Sequence, residues 1–428
     1  MARGFDRKAR EERNMLKYLI TATETLIAAA VLLGMLSAYI PAVYGERGRN
    51  ILTAGSLAGL LAAVVMSYLK NMTKLINTST WNLRIFTVAI LGFLAFLVLD
   101  LNWFRKRKAA GAAVPGLAAL LSFTIILYAL PDVLAYPYNF VLGGDAVFST
   151  GFLYRFIGLA LGVGLCVLAG LAVRQVCRRV RPGALGLLLK LALGVNALQQ
   201  LSKILSILLA RRVLNGQALF RVARFTSNNA KLFLYAVLVL ASLVPLALWA
   251  KSLHVREPYE NPAQRRKIRA KWMSVRRWSA TVLASFAASV LILTAVNAYA
   301  NRPVTLSAIE ECELRGTELF IPFEQVDDGH LHRFAYTTDN HIAVRFIIIK
   351  KPNSSAYGVG LDACDICGET GYYERGGQVV CNRCDVVMNI NTIGFKGGCN
   401  PKVIDYSIEN GYIIVPVSAL IEHESDFK

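Results

Sequence analysis

Several common enzyme signatures are missing from this chain of 428 residues. It has no G-x-S-x-G, no Walker phosphate loop and no H-E-x-x-H, so nothing points to a serine hydrolase, a P-loop NTPase or a zinc peptidase. Histidine is scarce, at 5 residues, and charged residues make up only 18% of the chain. Acidic residues number 28 against 47 Lys and Arg, a formal charge of +19. In a soluble protein that excess would suggest nucleic acid. Here the basic residues lie mainly in short loops between apolar segments, where they set membrane topology, so no nucleic-acid partner is expected. Internal repeats and low-complexity tracts are also absent. The N-x-S/T matches at Asn71, Asn77 and Asn353 are short enough to arise by chance.

What the chain has is hydrophobic length. Its mean hydropathy is +0.45 and 55% of its residues are hydrophobic, too apolar for an ordinary soluble enzyme. About 20 helical residues cross the hydrocarbon core of a bilayer. Eight segments meet that length, near residues 18–41, 51–69, 85–104, 111–134, 152–173, 184–209, 232–250 and 279–300. The run from Met15 to Tyr44 is longer than the roughly 7–15 residues of a signal-peptide core and lacks a clear cleavage site, so it reads as a retained span. The sixth segment is the most polar, with Lys190, Asn196, Gln199, Gln200 and Lys203. That stripe reads as a buried face of a helix bundle.

Orientation follows from the basic loops. Residues 251–277 contain nine Lys/Arg and two Glu, the strongest cytoplasmic signal in the chain. RKRK at 105–108 and RQVCRRVR at 174–181 fall on the same side if the spans alternate. Everything after Asn301 then lies outside the cytoplasm, in a plasma-membrane protein crossing several times. From Asn301 onward the apolar residues come in short runs such as HIAVRFIIIKK (341–351) and GYIIVPV (411–417), broken by Gly, Asn, Asp and Pro. The expected fold is therefore an α-helical polytopic membrane bundle of about eight spans, followed by a small, mainly β extracytoplasmic domain. The expected divisions are 1–108, 109–300 and 301–428.

Six of the eight cysteines lie in that last division. CDIC (364–367) and CNRC (381–384) are two Cys-x-x-Cys turns, and each can bring two thiolates to one metal. Together Cys364, Cys367, Cys381 and Cys384 can close a tetrahedron. Four thiolates suit zinc, a single iron or an iron–sulfur cluster. Structural disulfides and a redox dithiol are the alternatives. Cys399 and Cys312 are candidates for an added ligand, a disulfide or a redox thiol. Cys166 and Cys177 read as packing residues and free thiols.

The run LDACDICGETGYYERGGQVVCNRCDVVMNINTIGFKGGCNP resembles the C-terminal domain of the FtrD-like membrane iron–sulfur protein family. The marks of that resemblance are the paired CxxC, Gly371-Tyr372 between them, Asn391 to Gly394, and Gly397 to Pro401. DGHLHRF (328–334) and VRFIIIKK (344–351) are similar to the family's strand pair. The resemblance covers roughly residues 305–420. It implies an iron, iron–sulfur or other metal centre and a link with bacterial iron uptake, with a permease or exported iron or redox proteins as partners. A weaker likeness joins the first three spans to Ftr-type high-affinity iron permeases, in which an R-E-G-L-E motif handles iron. Residues 23–27 read Thr-Glu-Thr-Leu-Ile, which keeps one acid and lacks the Arg, the Gly and the second Glu.

Other candidates are weaker. Glu24 is an ionisable residue in an apolar span, the usual mark of an intramembrane ion site or of a structural pair. Asp100 reads as an interface residue. His330 and His332 share a strand face and His341 follows, a candidate second metal site. The functional reading is a membrane component of an iron-uptake or iron-redox system. A zinc- or disulfide-stabilised partner-binding module and a thiol–disulfide oxidoreductase are the alternatives.

Overall fold

The computed structural model describes residues 2–73, 76–101, 108–142, 149–254, 257–301, 306–352, 354–365, 367–375, 377–383, 386–395 and 400–427. The chain divides into two units, Met1–Ala300 and Asn301–Lys428. The first is helical, with α1 (Ala2–Met72), α2 (Thr78–Leu99), α3 (Lys108–Leu142), α4 (Thr150–Cys177), α5 (Pro182–Ala210), α6 (Gln217–Asn228), α7 (Ala230–Leu253) and α8 (Pro262–Leu291). A π turn at Ile292–Val296 carries α8 on to Ala300. Among the described residues, 7 of these helices are long and apolar enough to cross a membrane, all but α6. The chain is a multi-pass membrane protein.

The first of the seven contains two of the eight expected segments. Its membrane-length portion, Glu12–Lys70, has 59 residues, which would be about 88 Å if straight, or nearly three hydrocarbon thicknesses. Gly45 breaks it with φ 65° and ψ −157°, a left-handed conformation that glycine adopts without Cβ strain. Both ends of α1 then meet one part of α3. Tyr18 packs edge-on against Tyr136 at 5.6 Å, and Lys70 Nζ donates to Asp132 at 2.6 Å. The helix therefore folds back at Gly45 as a hairpin.

One end of this unit gathers polar groups around Asp100, which directly follows the last residue of α2 and is fully buried. Tyr39 and Tyr44 donate to its carboxylate at 2.6 and 2.7 Å. Lys190 of α5 pairs with it at 2.8 Å. A carboxylate in apolar surroundings persists only when it is matched in this way. The expected inward polar face of α5 is present: Asn196 and Gln200 are buried, and Tyr128 donates to Asn196 at 2.9 Å. At the same end Arg179 donates to Ser274 at 3.1 Å, which joins the basic stretch at 174–181 to the start of α8. The first half of α8 is the run predicted as a basic loop. Asn261 caps it, accepting from the Gln264 amide at 2.8 Å, and the helix begins at Pro262. Sixteen residues from 262 to 277 thus form a basic helical extension of about 24 Å.

Among the described residues, the second unit has three antiparallel sheets. Strands β1 (Glu313–Arg315), β2 (Glu318–Pro322), β9 (Ser407–Glu409) and β10 (Tyr412–Pro416) form the first, in the order β1-β2-β10-β9. The second is β3 (His332–Thr337), β4 (Ala343–Lys350) and β5 (Tyr357–Leu361). The third is β6 (Tyr372–Arg375), β7 (Gln378–Cys381) and β8 (Val387–Met388). Strand β4 explains the unbroken apolar run in HIAVRFIIIKK. Phe346 and Ile348 face a core shared with Ile321 and Val415. Ile347 and Ile349 face the opposite way, into a second core with Tyr372, Val379 and three cysteines. A strand covered on both sides needs apolar residues at consecutive positions.

Candidate metal centre in the C-terminal domain

The CDIC turn is closed by its own backbone. Cys364 N donates to Gly368 O at 3.2 Å and Gly368 N donates back to Cys364 O at 2.9 Å. Within that loop the Cys367 amide points at the Cys364 sulfur, 3.1 Å away, a bond that favours thiolate over thiol. The other strand of the site comes from the β6–β7 hairpin, whose register sets Tyr372 opposite Cys381. Asn382 N donates to Gly371 O at 3.0 Å and ties the second cysteine turn to the first. The result is a trio: the sulfurs of Cys364, Cys367 and Cys381 lie within 4.8 Å of one another, and all three residues are buried. Around a metal–sulfur bond of about 2.3 Å, tetrahedral thiolates stand roughly 3.8 Å apart. The donor set therefore fits a thiolate-bound metal.

A charged clamp holds both arms of the trio. Asp362, two residues before Cys364, is fully buried. It accepts from Arg333 Nε at 2.8 Å and from Arg345 Nε at 3.2 Å. Its other oxygen accepts from the Tyr372 amide at 2.8 Å. Arg333, 1% exposed, also donates to the Tyr372 carbonyl and to Ser307 Oγ at 2.7 Å. Gly371 stands where the clamp leaves no room for a side chain. Its φ is +79°, and a Cβ there would lie 2.9 Å from an Asp362 oxygen. Tyr372 is 1% exposed and its phenol bonds the Cys364 sulfur. Burial first, then the neighbouring Cys364, pushes the phenol pKa well above its ordinary value, so the hydroxyl stays a donor.

The remaining candidates are distributed differently. Cys384 and Cys399 lie outside the described residues. Cys312 is a free thiol packed against the core between the first two sheets and is not part of the trio. Burial raises its pKa. Cys166 and Cys177 are free and buried in the membrane unit, Cys177 as the last residue of α4 rather than in an open loop. His332 has both ring nitrogens on carboxylates, Nδ1 with Glu310 at 2.9 Å and Nε2 with Asp328 at 2.8 Å. His330 Nδ1 meets Glu374 at 2.9 Å. His341 sits apart in a left-handed turn, φ 61°. Among the described residues the cysteine trio is the only group of three or more side chains placed to share a metal ion. Glu24 pairs with Lys231 of α7 at 3.8 Å.

Sequence spacing reached the cysteines and missed the clamp. Asp362 had one local signal, its place beside the first cysteine. Arg333 and Arg345 had none, because an arginine turned towards a neighbouring strand reads in the sequence like a solvent-facing one.

Comparison with known proteins agrees with the resemblance in the last unit. Residues 326–427 match the family model described as "Membrane iron-sulfur containing protein FtrD-like". No curated protein and no solved structure matches the chain. The match ties the C-terminal domain to membrane iron–sulfur proteins and falls on the unit that carries the trio. It does not extend to the first three spans, where the likeness to iron permeases was noted.

Proposed function

We propose that this protein is a membrane component of an iron-uptake or iron-redox system, and that its C-terminal domain carries an iron or iron–sulfur centre. The observation that carries the reading is the buried trio of Cys364, Cys367 and Cys381 inside a domain that matches a membrane iron–sulfur family. Cys384 completes the second Cys-x-x-Cys pair, and Cys399 is a further thiol of the same segment. An iron centre held there would supply one-electron chemistry.

The protein's own groups would tune and shield such a centre. The Cys367 amide and the Tyr372 hydroxyl donate to the Cys364 sulfur, which lowers its electron density. Leu331, Ile347, Val379 and Met388 surround the cysteines and keep water out. The Asp362–Arg333–Arg345 clamp fixes the spacing of the two arms. The domain is assigned to the outer face of the plasma membrane. Its support is that α8 starts at the end of the helical unit where the basic stretches meet, so that Ala300 leaves at the other end. Partners of this class are a permease and exported iron or redox proteins.

Elemental analysis and a visible spectrum of the full-length protein, produced with both iron and zinc available, test the reading. The expected result is stoichiometric iron with sulfur-to-iron charge-transfer bands that are lost in Cys381→Ser. Stoichiometric zinc without colour would make the site a structural clamp. Alkylatable thiols with no metal would make it a thiol–disulfide centre. Either outcome overturns the iron assignment.

A further inference from the structure

The connector between α5 and α7 contains α6, a helix of 12 residues too short to cross a bilayer. Both flanking helices are of membrane-crossing length, so α6 lies at the bilayer surface. Its residues divide into two faces. Leu219, Val222 and Phe225 project on one side and are exposed, Phe225 by 64%. Gln217, Arg221, Arg224 and Asn228 recur at intervals of four, three and four residues and form a polar stripe on the other side. Arginine on one face and Phe, Leu and Val on the other is the composition of a helix lying in the plane of a membrane interface.

The polar stripe does not face open water alone. All four of its residues line a cavity of about 930 Å³ against the end of α5, together with Ser206 and Phe220. Among the described residues no carboxylate lines it, and the sequence has no Asp or Glu between Asp145 and Glu257. Arg221 and Arg224 stand one helical turn apart, and among the described residues neither has an acidic partner. Two guanidiniums sharing a cavity repel each other unless an anion lies between them, and their planar donors match the oxygens of a phosphate.

We propose that this cavity is a binding site for the headgroup of an anionic phospholipid. Arg221 and Arg224 hold the phosphate, and Ser206, Gln217 and Asn228 supply further hydrogen bonds. The apolar face of α6, with Leu219, Val222 and Phe225, lies against the acyl chains. That immersion sets the cavity at headgroup depth, which selects a lipid phosphate over a soluble one. The site is independent of the metal centre.

The test is lipid retention by the full-length protein in a neutral detergent, read by native mass spectrometry with phosphatidylglycerol and phosphatidylcholine of equal chain length. The wild-type protein is expected to prefer phosphatidylglycerol on the order of tenfold. Arg221→Gln with Arg224→Gln is expected to abolish that preference, while the same exchange at Arg265 and Arg266 of α8 leaves it. Arg221→Lys with Arg224→Lys keeps the charge and is expected to fall between; it is the reading to use if the glutamine variant does not accumulate. Equal retention of both lipids by the wild type, or an unchanged preference in both the glutamine and the lysine variant of Arg221 and Arg224, overturns the proposal. So does inorganic phosphate that displaces phosphatidylglycerol at the concentration of the lipid itself, because the site would then serve a soluble anion.

Discussion

Among the described residues, each unit of this protein buries one aspartate completely, and the two are used differently. Asp100 in the helical unit accepts from two tyrosines and a lysine. These donors arrive from α1 and α5, and Lys190 keeps 16% of its side chain exposed. Asp362 in the C-terminal domain accepts from two arginines and an amide, and its main partner Arg333 has 1% of its side chain exposed. The first aspartate joins helix ends in a place where lysine can still reach towards headgroups. The second is locked between strands and sets the position of a cysteine two residues away. A buried charge can therefore be a fastening in one unit and a positioning device in the other.

The sharpest way to break this comparison is Asp362→Asn. It leaves the Arg333 guanidinium buried without a counter-charge, a loss of about 3–5 kcal/mol for a pair of this burial. The C-terminal domain is expected to become protease-sensitive in the full-length protein and to lose its metal. Replacing the pair together, Asp362→Leu with Arg333→Met, is expected to restore much of the stability, since both charges leave the interior. Retained metal would still be poor, because the amide and carbonyl of Tyr372 lose their anchors. Wild-type protease resistance in the single variant would show that the clamp is not what holds the domain.

Asp100→Asn is the matching change in the helical unit, with a smaller expected loss of about 1–2 kcal/mol. The asparagine oxygen still accepts from a tyrosine, and Lys190 retains the Asp100 carbonyl at 3.0 Å. Denaturant or thermal midpoints of the detergent-solubilised protein read this difference. A loss as large as that of Asp362→Asn would remove the distinction between the two aspartates. Smaller again is Tyr372→Phe, which deletes one donor to the Cys364 sulfur at about 1 kcal/mol. It is expected to leave the fold intact and to shift the absorption bands of the bound centre.

The two units were not equally legible in the sequence. Twenty-residue apolar runs identify membrane helices because the bilayer demands that length, and the seven helices follow them. The hairpin at Gly45 hides inside one helix, yet its two arms had separate apolar runs. The helical nature of residues 262–277 and of α6 was hidden because basic side chains break the apolar pattern that marks a helix. In the C-terminal domain the cysteine pairs were legible because ligand spacing is local. The clamp joins residues 29 and 17 positions apart in the chain, and only the folded strands bring them together. The partners of Asp100 were hidden for the same reason: they lie 61 and 56 residues away.

The smallest expected effect belongs to a half-buried counterpart of these pairs, Lys402 with Asp426 at 2.7 Å, whose side chains are 22% and 24% exposed. Burial alone would raise the Asp426 carboxyl, but hydrogen bonds from Lys402 and His423 outweigh it and hold the pKa below 3.8. The Asp426 bond raises the Lys402 pKa above 10.5. A depressed carboxyl gives stability that is present above its unfolded pKa and lost as pH falls through the folded value. A raised ammonium gives stability that is present below its unfolded pKa and lost as pH rises through the folded value. The pair therefore contributes between those limits and fades at both. Lys402→Met is expected to cost about 0.5–1 kcal/mol at pH 7, measured as a shift in the denaturant midpoint of the C-terminal transition. Below the folded pKa of Asp426 the deficit should shrink, because the carboxylate that Lys402 pairs with is then protonated. A deficit of the same size at both pH values would assign the loss to packing of the lysine stem rather than to charge.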